Sequence, residues 1–127
     1  MTQVVTGPEG TLGILEFSGL PFRPQRAYWI TDVPPECPRG GHGHKLLQQA
    51  FIVLVGSVNL SVHDGRNVSH YALEANGEPL TLQAGVWRTL GDFEPGTVVL
   101  VLASMPYDPH DYIHSLEEFL EWKASLT

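Results

Sequence analysis

Cysteine occurs once in the chain, at position 37. A lone thiol forms no intramolecular disulfide and supplies too few sulfurs for a cysteine-based zinc site. That predicts a reducing, cytoplasmic setting. Basic residues are scarce as well. Seven lysines and arginines stand against fourteen aspartates and glutamates, for a formal net charge of −7, and the cations are scattered along the chain. No basic run exists to follow a nucleic-acid backbone or to lie on an anionic membrane, so neither is expected as a partner. An anionic ligand would have to be held by a few specific arginines acting against the overall field. Long hydrophobic runs are missing too. The longest, residues 50–55 and 97–103, fall far short of the ~20 residues that cross a bilayer as a helix. Residues 1–10 also lack the basic-then-apolar pattern of a signal peptide.

What is present is foldable. The 127 residues are 43% hydrophobic and 17% charged, a balance that supports a packed core without staples. The expectation is a single domain over residues 1–127. Gly7-Pro8-Glu9-Gly10 is a turn signal, and residues 11–17 can form a strand after it. Residues 26–32 read as a strand by aromatic and β-branched content. Parity divides that strand into one face with Arg26, Tyr28 and Ile30 and another with Ala27, Trp29 and Thr31; either can look inward. Residues 57–63 alternate polar and apolar, Asp64-Gly65 is a hairpin signal, and residues 67–73 answer as the return strand, with Val68 and either Tyr71 or Leu73 inward. Further strands are expected at 80–82, 86–90 and 97–103, the last buried on both faces. Trp87 and Arg88 must point opposite ways, so at most one lines any pocket. Ile113, Leu116, Phe119 and Leu120 then recur at helical spacing, which predicts one amphipathic helix over residues 109–124, irregular around Tyr112, with Trp122 covering an end of the strands. The fold class expected is all-β: residues 1–25 an arm with edge strands, 26–104 a small barrel or jelly roll, then a C-terminal α-helix.

The chemistry concentrates in Arg39-Gly40-Gly41-His42-Gly43-His44-Lys45. Histidines at i and i+2 cannot share a helix face but do share a strand face. With four residues to Gln49 and six more to Gly56, the spacing resembles the first metal-binding motif of the cupins, which has glutamate where Gln49 stands. Gln83-Ala84-Gly85-Val86-Trp87-Arg88 resembles the second, with Arg88 in the place of a histidine. Two of four expected ligands are therefore gone. An amide replaces the carboxylate, and a guanidinium, which has no lone pair to offer, replaces the last imidazole. The expectation is no metal and no other cofactor. Two histidines and an arginine in one cavity instead suit proton transfer beside a developing oxyanion.

A tighter resemblance lies in that motif with Gln49, Trp87-Arg88, Asp92-Phe93, Val101-Leu102-Ala103-Ser104, Tyr107-Asp108, Asp111-Tyr112-Ile113 and Glu118-Phe119-Leu120, spread over residues 26–122. In this order the set resembles the nucleotide-sugar 3,4-ketoisomerase family of cupins. The resemblance implies isomerisation of a dTDP-linked 4-keto-6-deoxyhexose to its 3-keto form through an enediol, in deoxysugar biosynthesis. It implies His42 and His44 as the acid–base pair, Arg39 and Arg88 on the diphosphate or the enediolate, and Gln49 on the sugar. It also implies a homodimer with exchanged N-terminal strands. Tyr28 can stack on the substrate or assist proton transfer, while Arg26 and Lys45 read equally as ligand contacts or solvated charges. Gly43 stands where the family usually has alanine, which reads as a minor loosening of the strand, and His114 stands where it commonly has arginine. A cupin sugar epimerase, a metal-dependent cupin enzyme and a non-catalytic sugar-nucleotide-binding module are the rival readings.

Overall fold

A computed structural model describes residues 2–126. Strands β1 (Thr2–Gly7) and β2 (Gly10–Leu15) form a hairpin on Pro8-Glu9 and pair with each other only. The remaining strands form two antiparallel sheets. One has the order β3 (Arg26–Ile30), β10 (Val98–Ala103), β5 (Gln49–Val55), β8 (Leu80–Leu82). The other has the order β11 (Tyr112–Ile113), β4 (Arg39–His44), β9 (Trp87–Gly91), β6 (Ser57–His63), β7 (Val68–Glu74). A single α-helix, α1 (Leu116–Ser125), follows. The two sheets share no strand among the described residues, so the barrel is a flattened jelly roll rather than a closed ring.

Alternation explains the packing. Val58, Leu60 and Val62 of β6 are buried while Asn59 between them is exposed. They meet Phe51, Val53, Val99 and Val101 of the opposite sheet, with Leu90 and Phe93 filling the space between. Strand β10 lies between β3 and β5. Its other face, with Leu100 and Leu102, joins Ala50 and Ile52 in a second apolar cluster covered by Leu15, Leu20 and Phe22. Both faces of β10 are therefore occupied, as its unbroken apolar run predicts. At Gly56 the chain turns with φ +83°, and a Cβ there would stand 2.9 Å from Thr97 Cα, so only glycine fits. Asp64 closes the β6–β7 turn by accepting from the Arg66 and Asn67 amides, both at 2.8 Å.

Three expectations change. Val68 does not face inward; it is 51% exposed, because it pairs with His63 and so lies on the outer face of the sheet, whereas Leu73, opposite the buried Val58, packs on the core. The C-terminal helix begins at Leu116, not near residue 109. Asp108 accepts from the His110 amide at 3.0 Å and caps a single 3-10 turn, Pro109–Asp111. Tyr112 and Ile113 then extend and pair with His44 and Gly43. Ser115 accepts from the Glu118 amide at 3.1 Å and starts the helix. Helical spacing of Ile113 and Leu116 is blind to that cross-strand pairing. Finally, Gly43 is not a loosening. A Cβ there would lie 3.0 Å from Phe119 Cδ1 and 3.3 Å from the Val86 carbonyl oxygen, so its absence lets α1 press onto β4.

Phe119 is fully buried, its ring 6.2 Å from both Trp87 and Trp122. Phe119→Ala should cost about 3–5 kcal/mol in chemical denaturation, the usual range for emptying a buried aromatic site.

Candidate active site

Between the sheets lies a cavity of about 360 Å³. Strand β3 gives it Arg26, Tyr28 and Ile30, which settles the parity question: Trp29, on the other face, is 69% exposed. Strand β4 gives Arg39 and His42, β5 gives Gln49 and Phe51, β9 gives Arg88 and Leu90, and β11 gives Tyr112. Register brings these together from distant sequence. His42 pairs with Arg88, and Tyr112 with His44.

The cavity is organised by a buried chain of polar groups. Arg88 is 1% exposed and donates a short hydrogen bond from Nη1 to Gln49 Oε1. Gln49, also 1% exposed, donates from Nε2 to the Tyr28 hydroxyl oxygen at 2.7 Å. The guanidinium fixes which end of the amide is which, because it can only donate. Tyr28 thus accepts from Gln49 and keeps its own proton to give elsewhere. Burial pushes the Tyr28 phenol above its ordinary range, although Arg88 opposes this, so it stays protonated at neutral pH. Burial lowers Arg88 to about 10, which leaves it charged. Its Nε and Nη2 are buried with no hydrogen-bond partner among the described residues, and neither has the Nε of Arg26. Unpaired buried donors on a cavity-lining cation are costly unless a ligand oxygen takes them.

His42 and His44 do share one face, with ring centroids 4.9 Å apart and planes at 89°. They are not equivalent. His42 is half-buried and lines the cavity, whereas His44 is fully buried. His44 Nδ1 lies 3.1 Å from Asp111 Oδ2. Burial first, then Arg88, push His42 down to about 4 and His44 down to about 3. Both imidazoles are therefore neutral at pH 7.

The other expected residues fall as follows. Arg39 is on the exposed rim and Arg26 is half-buried, its guanidinium carbon 5.5 Å from the Tyr28 ring centroid and 5.8 Å from that of Tyr107. Lys45 is exposed and is not among the lining residues; it follows the strand's end, past the point where β4 faces the cavity. Sequence reasoning missed Tyr112 and Asp111 as site residues. Tyr112 lines the cavity and stacks with His114 at 5.6 Å and 13°. The available signal was a Pro-x-Asp-Tyr stretch interrupting the supposed helix.

A cupin metal does not fit these residues. Among them no group of three or more His, Cys, Asp or Glu side chains is placed to hold an ion. The Gln49 oxygen already faces a guanidinium, and Arg88, paired across the strands with His42, brings a fixed positive charge and no lone pair to the place of a fourth ligand.

The jelly roll and this cavity, lined by an imidazole, two phenols and a buried arginine, define a cupin-type protein without the cupin ligand set. Residues 1–124 match the family described as FdtA, WxcM-like, C-terminal, and the chain belongs to that family. A curated relative, TDP-4-oxo-6-deoxy-alpha-D-glucose-3,4-oxoisomerase of Aneurinibacillus thermoaerophilus, is 32% identical over 124 residues, 98% of this chain and 89% of that protein. A crystal structure of a 3,4-ketoisomerase from Helicobacter canadensis superimposes with a TM-score of 0.91 at 35% identity, covering 97% of this chain and 93% of that one. A mutant of the 3,4-ketoisomerase QdtA from Thermoanaerobacterium thermosaccharolyticum, in complex with TDP-4-keto-6-deoxyglucose, gives a TM-score of 0.92 at 32% identity, covering 98% and 91%. No helix among the described residues is long and apolar enough to cross a membrane.

The depressed histidines carry a sign. Below about pH 6.5 the unfolded chain binds protons that the folded cavity refuses, so stability present above that pH is lost as pH falls towards 4. Denaturation midpoints should fall over that window. In His42→Gln the slope should be shallower by up to about 1.4 kcal/mol per pH unit, one proton's worth.

Proposed function

We propose that the protein is a sugar-nucleotide isomerase that converts a dTDP-linked 4-keto-6-deoxyhexose to its 3-keto isomer. The observation carrying this reading is one cavity that presents a neutral His42 imidazole, a protonated Tyr28 hydroxyl and a buried Arg88 guanidinium with unpaired donors. The reaction needs those three groups. Loss of the proton on C3 sends its electron pair into the C3–C4 bond and the C4 carbonyl onto its oxygen. Arg88 stabilises that oxyanion, and protonating it gives the enediol. A proton then adds at C4 as the O3 hydroxyl proton leaves and C3 becomes the carbonyl. Two protons leave the sugar and two return, so no redox partner is required.

His42, on the cavity wall, is the group placed to take or give the carbon-bound proton, and His44 supports it from behind. Tyr28 is the donor for the sugar oxygen. Gln49 orients Tyr28 and Arg88 through the two ends of its amide, and the second N–H of that amide is left for the sugar. Arg39 and Arg26 at the rim take the diphosphate. Its negative charge offsets the arginine field that depresses His42, making the imidazole a stronger base when substrate is bound. The donor set argues for a metal-independent reaction, and an exposed, single Cys37 is consistent with the cytoplasm.

A homodimer belongs to the same reading. Val5, Leu12 and Phe17 of the N-terminal region are 49%, 59% and 54% exposed. The hairpin borders an apolar groove of about 460 Å³ against Ile52, Leu54, Leu100 and Leu102 of the sheet. A second copy's hairpin is the occupant that the family resemblance supports.

The test is exchange of the C3 proton of dTDP-4-keto-6-deoxyglucose with deuterated solvent, followed by detection of the 3-keto product. Exchange and product are expected; binding of dTDP with no exchange would make the protein a binding module. His42→Asn should lower turnover about 10²–10⁴-fold while dTDP affinity stays within about threefold. Stoichiometric zinc, iron or manganese in protein purified without chelator would overturn the metal-independent reading. Light scattering should give twice the chain mass, and a monomer would remove the dimer.

A further inference from the structure

Asp111 is a buried carboxylate, 4% exposed, that the reaction just described does not use. It holds the turn that leaves β4. Its Oδ1 accepts from the Leu46 amide at 2.6 Å, its Oδ2 from the Leu47 amide at 3.2 Å, and its own carbonyl from the Lys45 amide at 3.1 Å. Those contacts account for a structural residue. The contact from Oδ2 to His44 Nδ1 at 3.1 Å adds something else. A carboxylate with two amides already donating to it is an acceptor only. The His44 proton must therefore sit on Nδ1, and Nε2 must be a bare lone pair. That Nε2 is buried and has no partner among the described residues. The groups facing the ring are His42 of the same strand at 4.9 Å, Tyr112 of β11 at 4.4 Å, and, further off, the side chains of Arg88, Arg26 and His114.

We infer that Asp111 is a positioning residue of the isomerase, fixing His44 in the Nδ1–H tautomer so that its Nε2 stays an acceptor beside His42 and the cavity. The inference rests on the proton-transfer reading of this site. With the tautomer reversed, the site would present one more N–H next to Arg88, where donors already outnumber acceptors, and a proton passing through His42 would lose its acceptor. The device also ties the C-terminal segment to catalysis. Pro109–Asp111 delivers the carboxylate, and the next residue, Tyr112, forms the cavity wall.

Two measurements test this. Nitrogen-15 chemical shifts of His44 in the intact wild-type protein report the tautomer without reference to activity. Protonated Nδ1 and unprotonated Nε2 are expected, and the reverse overturns the inference whatever any variant does. The second measurement uses Asp111→Ala, which removes the acceptor facing His44 Nδ1, together with those of the Leu46 and Leu47 amides, and so frees the ring proton to move to Nε2. In folded variant, kcat should fall about 100-fold while KM and dTDP affinity move by no more than about threefold. A folded variant that turns over at the wild-type rate overturns the inference. If that variant does not fold, the wild-type tautomer decides alone. Wild-type protein that exchanges no C3 proton overturns the isomerase reading and this inference together. Wild-type exchange matched by equal exchange in the variant overturns this inference only.

Discussion

A guanidinium buried between two sheets is the constraint on which the cavity depends. Left unpaired, such a charge would cost several kcal/mol and would be a reason not to fold this way. Arg88 has one terminal nitrogen bonded to Gln49, and Gln49 in turn bonds Tyr28. The remaining donors are left over in the cavity the arginine lines. One arginine therefore does three things. It sets the orientation of an amide, the amide sets the orientation of a phenol, and the unused donors make the cavity hungry for oxygen. Burial, with the same charge adding to it, keeps both imidazoles neutral. A site that is short of acceptors before a ligand arrives is complementary to an anionic oxygen.

The fold supplies this arrangement from four strands and a strap. Strands β3, β5 and β9 contribute Tyr28, Gln49 and Arg88, and β4 contributes His42 beside them. The strap is the two-residue β11, which adds Tyr112 to the wall just after Asp111. Helix α1 then seals the arrangement by seating Phe119 where Gly43 has no side chain. A substitution that looks like a weakness in a β-strand is in this context the space into which a helix side chain packs.

The strands were legible in the chain because their signals are local. Alternation over 57–63, the aspartate-glycine hairpin and the unbroken run ending at Ala103 are all short-range patterns, and the fold contains each of them. The histidine pair on one strand face was legible for the same reason. Two things were not. The residues around Tyr112 carry a spacing shared by helix and strap, and only pairing with β4 distinguishes them. The register of β7, which sets Val68 opposite His63 on the outer face, depends on what stands across the hairpin, and a sequence pattern does not contain its neighbours.

The replacement of metal ligands by Gln49 and Arg88 was determined by the sequence alone, because the donor chemistry of a side chain is intrinsic to it. So were the strand register of His42 with His44 and the opposition of Trp87 to Arg88, which follow from a period of two. Tertiary structure alone decided which face of β3 meets the cavity, that His42 lines it while His44 lies beneath, and that an aspartate 67 residues away holds the buried imidazole. The physical reason is distance along the chain. Side-chain identity and local period are written residue by residue, but a hydrogen bond between β4 and the C-terminal strap exists only once the sheets have closed around it.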